Sequence, residues 1–194
     1  MKTKTINLYK FEELTTEQQE KVIEKNRDFN DDIICNLIEL DDAYSLSLEE
    51  QGFINPKISY DLSYSQGSGA SFTCTQLDYD LLLKDYTGKH KNWMIEILKQ
   101  YCEVQIERKY SCHYVHENSC NTELYEYTQY NYPHIIDELE NIRKHIEEIR
   151  LEACINLAEA LQEEIDYLQS DESIAESLIN NEYYFNEETL EIEL

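Results

Sequence analysis

KISYDLSYSQGSGASFTC, residues 57 to 74, is the stretch on which the fold turns. Ile58, Tyr60, Leu62 and Tyr64 alternate with Ser59, Asp61, Ser63 and Ser65, the period of two that sends alternate side chains to opposite faces of a strand. Gln66-Gly67-Ser68-Gly69 then breaks the pattern with two residues free to take positive φ, and Ala70, Phe72 and Cys74 resume it. The reading is a β-hairpin with one buried face. A second hairpin is predicted from Cys102, Val104 and Ile106 in one arm and Leu124, Tyr125 and Tyr127 in the other, joined by SCHYVHENSCN.

Around these hairpins the period is helical. Ile6 and Leu8 suggest a short first strand, and Thr15 with Gln18 three residues on is a capping box that opens a helix. That helix breaks near Asn30 to Asp32 and resumes through Ile33, Leu37, Leu40, Tyr44 and Leu48, giving two helices or one bent one, until Gly52 serves as the C′ residue. Residues 79 to 101 contain a helix around Trp93, Ile97 and Leu98. Beyond Pro133, Ile135, Leu139, Ile142, Ile146, Ile149 and Ala153 recur in steps of three and four, and Leu157, Leu161, Ile165 and Leu168 continue the stripe. An uninterrupted helix of about 35 residues would be roughly 52 Å long. Such a length predicts that part of it projects or joins a homodimer. Ser170 caps a short terminal helix, and TLEIEL adds an edge strand. The fold class is α+β: a largely antiparallel sheet built from two hairpins, packed against several helices including one long C-terminal helix. Without a repeat or a Pro/Gly/Ser linker, residues 1–194 read as a single domain with an acidic helical part over 134–180.

Charge narrows the partners. Sixteen Lys and Arg stand against 41 Asp and Glu, a net charge of −25. Repulsion from phosphates argues against direct binding to nucleic acid or an anionic membrane, so a charged partner should be basic. The N-terminus lacks the apolar run of a signal peptide, which predicts a cytoplasmic protein. Six cysteines without a CxxC pair (Cys35, Cys74, Cys102, Cys112, Cys120 and Cys154) then read as free thiols.

Four groups of residues are candidates for function. Residues 151–194 hold 13 Asp or Glu and no Lys, Arg or His, including Glu152, Glu159, Glu163, Glu164, Asp166, Asp171, Glu172 and Glu176. A charged helix face is most often just solvated. Here, however, the cations that would stabilise it through i,i+4 pairs are missing, and carboxylates about 5 to 6 Å apart approximate the phosphates of one duplex strand. Tyr64, Tyr125 and Tyr127 read first as sheet faces and second as interface anchors. The Gly67–Phe72 turn reads as a plain hairpin turn, because no Lys and no strand-to-helix junction follows to make a P-loop. Cys112, His113, His116 and Cys120 have the residue types of a zinc site at unsuitable spacing, so neither metal nor cofactor is expected. No pairing of nucleophile and base stands out.

Two of these stretches also carry a resemblance. YSQGSGASFTC is similar to a signature, aromatic-S-Q-G-[DS]-G-A-S-F, of small acidic phage and prophage proteins of unassigned function, matched here at Gln66, Gly67, Gly69, Ala70, Ser71 and Phe72. Ser68 stands where Asp is usual, and Tyr64 where Trp is common. YLQSDESIAESLINNEYYF resembles their Y-L-x-S-D-E to N-E-Y-x-F ending through Ser170, Asp171, Glu172, Asn181, Glu182, Tyr183 and Phe185. LYKFEELTTEQQEKVIEKNR fits their opening strand and helix. The resemblance, with the charge, implies a non-enzymatic phage protein resembling inhibitors of bacterial defence, including DNA-mimicking anti-restriction and anti-CRISPR proteins, whose partner would be a CRISPR effector or restriction nuclease. Its rivals are a self-associating structural or regulatory protein and a small enzyme or ligand-binding protein using the Gly67–Phe72 turn.

Overall fold

A computed structural model of the chain describes residues 6–40, 42–62, 67–110, 112–126 and 133–193. They form two compact units, Met1–Leu40 with Gln162–Leu194, and Asp41–Leu161. Along the chain, β1 (Leu8–Lys10), α1 (Thr16–Lys25), α2 (Asp31–Cys35) and α3 (Leu37–Leu40) belong to the first unit. The second holds α4 (Ala43–Glu50), β2 (Phe53–Ile54), β3 (Lys57–Asp61), β4 (Gly69–Thr73), β5 (Gln76–Leu77), α5 (Tyr79–Leu82), α6 (Lys91–Tyr101), β6 (Cys102–Arg108) and β7 (Cys120–Glu126). The long α7 (Pro133–Leu168) contributes to both, and α8 (Asp171–Asn180), β8 (Tyr184–Asn186) and β9 (Ile192–Glu193) complete the first. The protein is therefore α+β, and every strand pairing in the described residues is antiparallel. None of its described helices is long and apolar enough to cross a membrane.

The first unit joins the two ends of the chain. α1 begins at the expected capping box, where Gln18 Oε1 accepts from the Thr15 backbone N–H at 3.0 Å and from its hydroxyl at 2.9 Å. Its Val22 and Ile23 pack with Phe11, Leu14, Ile174, Leu178 and Phe185 into one apolar core. β8 lies between β1 and β9, with Tyr9 opposite Phe185 and Phe185 opposite Ile192. Among the described residues of this unit Asn30, Ser173 and Asn186 are buried polar residues. Asn30 Nδ2 donates to the Leu168 carbonyl at 2.7 Å, and Asn30 Oδ1 accepts from the Ser177 hydroxyl at 3.0 Å. These bonds tie the entry to α2 to the end of α7 and to α8.

In the second unit both predicted hairpins form. Ile58 pairs with Phe72 and Tyr60 with Ala70 in one; Val104 pairs with Leu124 and Ile106 with Thr122 in the other. Cys74 joins the two, because its backbone N–H and C=O bond Ile106 at 3.0 and 2.7 Å. Phe53 and Phe72 meet edge to face, 4.8 Å between centroids. The expectation of a single buried hairpin face fails at β4, where Ser71 is buried along with Ala70 and Phe72. The connection before β7 covers the second face: a Cβ on Gly69 would sit 3.1 Å from His116 Cα. One helix reading also changes. The Ile33 to Leu48 stretch folds as three short helices, α2 to α4. On α6, Met94, Ile95, Ile97 and Leu98 are buried, whereas Trp93 faces outward, 50% exposed.

α7 is one helix of 36 residues, roughly 54 Å long. Its apolar stripe is buried at Ile135, Leu139, Ile142, Ile146, Ala153, Leu157, Leu161, Ile165 and Leu168. Ile149, in the same stripe, is half-buried. Each fully buried side chain of the stripe contributes about 1.5–3 kcal/mol, Ala153 less, so burial of the stripe holds the helix in place. Into this stripe the sequence inserts Arg150, fully buried. Its Nε and Nη2 donate to the two oxygens of Glu147 at 2.9 and 2.7 Å, and its Nη1 donates to the Glu117 carbonyl at 2.7 Å. Glu147 Oε2 also accepts from the backbone N–H and the hydroxyl of Thr122, at 2.9 and 2.7 Å.

Burial pushes the Glu147 carboxyl up, but Arg150 and the Thr122 donors outweigh it and hold the group below its ordinary 4.5. Removing one partner of a buried pair strands the other, so Glu147→Ala should cost about 3–5 kcal/mol in urea unfolding, much of it recovered by Glu147→Leu with Arg150→Met. A carboxyl lowered by folding contributes stability that is complete above the unfolded value and lost as pH falls through the folded one. The parent should therefore lose stability below about pH 4.5 more steeply than the Leu/Met double variant, measured by denaturation across an acid series.

Candidate functional site

The acidic residues singled out from the sequence lie on helices and face outward. In the first unit Glu163, Asp166, Asp171, Glu172 and Glu176 are exposed, and Glu164 is half-buried. Apolar residues at Ile165, Leu168, Ile174 and Leu178 take the inner face of the same helices, which leaves the carboxylates on the outer one. Asp171 pairs with Arg27, which Glu24 also holds at 3.0 Å. Tyr167, 46% exposed, donates its hydroxyl to Glu176 at 3.1 Å. That bond to a carboxylate raises the phenol's pKa. Six Lys or Arg stand against 20 Asp or Glu in this unit, a net −14. Residues 162–194 contribute 11 of those carboxylates and none of the cations.

In the second unit Glu152 and Glu159 are exposed on α7. Tyr125 projects from the face of β7 opposite Leu124, 42% exposed. A hydrogen bond to the Glu107 carboxylate, with some burial, pushes its phenol up. Tyr64, Tyr127 and Gln66 lie outside the described residues.

The remaining residues of the Gly67–Phe72 motif are spent on packing. Gly67 has φ 103° and would place a Cβ 2.9 Å from the Tyr114 ring, so it answers both a backbone and a space requirement. Ser71 lies 2.9 Å from the Ser119 hydroxyl, which in turn reaches the His116 carbonyl at 2.7 Å. Phe72 is in the core. The structure thereby brings together two segments that the sequence presents separately, the glycine turn and the Cys112–Cys120 connection. There Cys112 Sγ is 3.9 Å from His116 Nε2, and His116 Nδ1 accepts from the Asn118 N–H at 3.1 Å. With Nδ1 accepting, the neutral ring carries its proton on Nε2 and is not placed to take one from the thiol. Among the described residues no three His, Cys, Asp or Glu side chains gather as a metal site. Cys154 is buried beside Arg150, and desolvation pushes its thiol up to about 11.

One polar site was missed from the sequence. Glu138, Asn141, His145 and Glu148 recur on α7 in steps of three, four and three, a polar stripe beside the apolar one. Asn141, His145 and Glu148, with Lys144, line an open cleft of about 340 Å³ against Asp85, Tyr86 and Thr87. Tyr86 donates its hydroxyl to Glu138 at 3.0 Å and lies 5.1 Å from the His145 ring, tilted by 48°. Gly88 packs closely here, because a Cβ would meet the Tyr86 ring and Glu138 Oε1. His145 Nε2 is buried and has no hydrogen-bond partner among the described residues. An unsatisfied buried polar atom costs about 1–3 kcal/mol. The signal available in the sequence was the helical spacing of the polar residues, which a search for apolar periodicity passes over.

Compared with family models, curated proteins and solved structures, the chain finds no match.

Desolvation first, and the Glu138 carboxylate second, push the Tyr86 phenol up to about 12. Glu138→Gln removes the second cause and keeps the first, so the Tyr86 value should fall part of the way toward its ordinary 10. Ring-carbon NMR of Tyr86 through an alkaline titration, assigned with Tyr86→Phe, measures the change.

Proposed function

We propose that this protein is a non-enzymatic binding protein of phage origin whose acidic helices take a basic, nucleic-acid-handling host protein as partner and block nucleic-acid access to it. The observation that carries this reading is the net −14 of the first unit, with 11 carboxylates and no cation over residues 162–194. Exposed like charges at helical spacing repel one another mildly, and solubility does not require so uneven a distribution. A channel lined with Lys and Arg turns that repulsion into attraction and speeds encounter at low salt. Tyr167 stands among the carboxylates of α7 and α8 as an aromatic anchor of the kind that interfaces favour. CRISPR effectors and restriction nucleases are the basic partners this surface fits, with no cofactor and no direct contact to nucleic acid or membrane.

The test is direct binding to a panel of purified CRISPR effectors and restriction nucleases, with duplex DNA as competitor. A partner should be found whose binding weakens with salt and is displaced by DNA. Replacing Glu163, Glu172 and Glu176 with Gln and Asp166 with Asn should preserve the fold and weaken that binding about tenfold or more, at a few tenths to one kcal/mol per charge. Binding that ignores salt, DNA and the quadruple variant would overturn the proposal.

A further inference from the structure

We infer that His116 is a pH-operated latch on the connection that covers β4. The neutral ring closes the latch: its Nδ1 accepts from the Asn118 backbone N–H at 3.1 Å and so caps the single turn Glu117–Ser119. A backbone N–H can only donate, so this bond requires an unprotonated Nδ1, and protonation sets two donors against each other. The protonated ring has another partner within reach. Glu117 Oε2 lies 3.9 Å from the same nitrogen, and a rotation of the ring carries Nδ1–H from the amide to the carboxylate. One nitrogen therefore serves two mutually exclusive partners, and its proton decides between them.

The capped turn matters because three contacts leave it for the interior. The Glu117 carbonyl accepts from Nη1 of the buried Arg150 at 2.7 Å, the Ser119 hydroxyl meets that of Ser71 on the second face of β4 at 2.9 Å, and the Ser119 carbonyl accepts from the Lys109 N–H at 2.9 Å. A change of partner at His116 is thus passed to α7, to β4 and to the end of β6. Within the connection the ring faces Cys112, whose Sγ is 3.9 Å from Nε2, and Glu117 beside Nδ1. From β4 it meets Gly69, which carries no titratable group, and Asp61 lies opposite Gly69 on β3. From α7 the nearest charge is Arg150, answered by Glu147. Histidine changes charge between about pH 5 and 8. Over that interval the Glu147 carboxyl, held below 4.5, stays ionised, so the latch opens while the buried ion pair still holds.

The experiment is an NMR titration of the intact protein from about pH 8 to about pH 5. The His116 ring nitrogens report the proton, and hydrogen exchange of the Lys109 amide, corrected for its intrinsic pH dependence, reports the turn. Protection of Lys109 should fall about two- to tenfold as His116 takes up its proton, with the Arg150 guanidinium resonances moving at the same midpoint. His116→Asn keeps a capping acceptor at every pH and cannot be protonated, so it should hold full protection throughout. Glu117→Gln removes the carboxylate that favours the protonated ring and should move the transition to lower pH. Lys109 protection that stays constant while His116 titrates would overturn the inference, and this is read on the parent alone, whatever the stability of the variants. So would a response that persists in His116→Asn, which would assign it to His90, His113, His134 or His145. The inference does not rest on the acidic-surface reading, and the quadruple variant of the acidic helices should show the same transition.

Discussion

The second unit depends on the Glu147–Arg150 pair. Burying a guanidinium in an apolar stripe is unfavourable unless its charge and donors are all answered, and here a bidentate carboxylate and a backbone carbonyl answer them. The carboxylate in turn holds the backbone and the hydroxyl of Thr122 on β7. One ion pair therefore fixes α7 against a strand and against the connection at Glu117. That connection covers the second face of β4 and meets Gly67, Gly69 and Ser71. Apolar residues would fill the same volume at comparable stability, but would not specify which turn of α7 faces Thr122. The pair supplies register where the stripe alone permits sliding.

Charge is distributed over the fold in a related way. The first unit, the smaller of the two, carries net −14 of the total −25. Its apolar cluster and buried Asn30 hold it together without help from surface ion pairs, which are worth little at such exposure. Of the carboxylates on α7 and α8 in this unit, Asp171 pairs with Arg27 and Glu176 accepts from the Tyr167 hydroxyl. In the second unit, acidic groups turned inward take specific hydrogen bonds: Glu147 on Arg150 and Thr122, Glu138 on Tyr86.

The Gly67–Phe72 motif illustrates how a conspicuous sequence can serve packing. Its glycines admit Tyr114 and His116 at close range, its serine bonds a buried hydroxyl, and its phenylalanine joins Phe53. The less conspicuous polar stripe on α7 builds a cleft. Glu138, Asn141, His145 and Glu148 are ordinary residues for an exposed helix, and only the approach of Tyr86 sets Glu138 and His145 against an aromatic ring.

What the sequence determined by itself is what depends on neighbours along the chain. The hairpin of residues 57–74 follows from a period of two around a glycine turn, the start of α1 from Thr15 and Gln18, and the length of α7 from spacings of three and four. Tertiary structure decided whatever requires residues distant in sequence to meet. The pairing of β1 with β8 depends on the two ends of the chain coming together, and so two units arise where no linker marks a boundary. The second buried face of β4, the outward turn of Trp93 and the burial of the α7 stripe each depend on what lies across from them. Periodicity reports which side of an element is apolar; what covers that side, and what an inserted charge such as Arg150 finds there, is set by packing between elements.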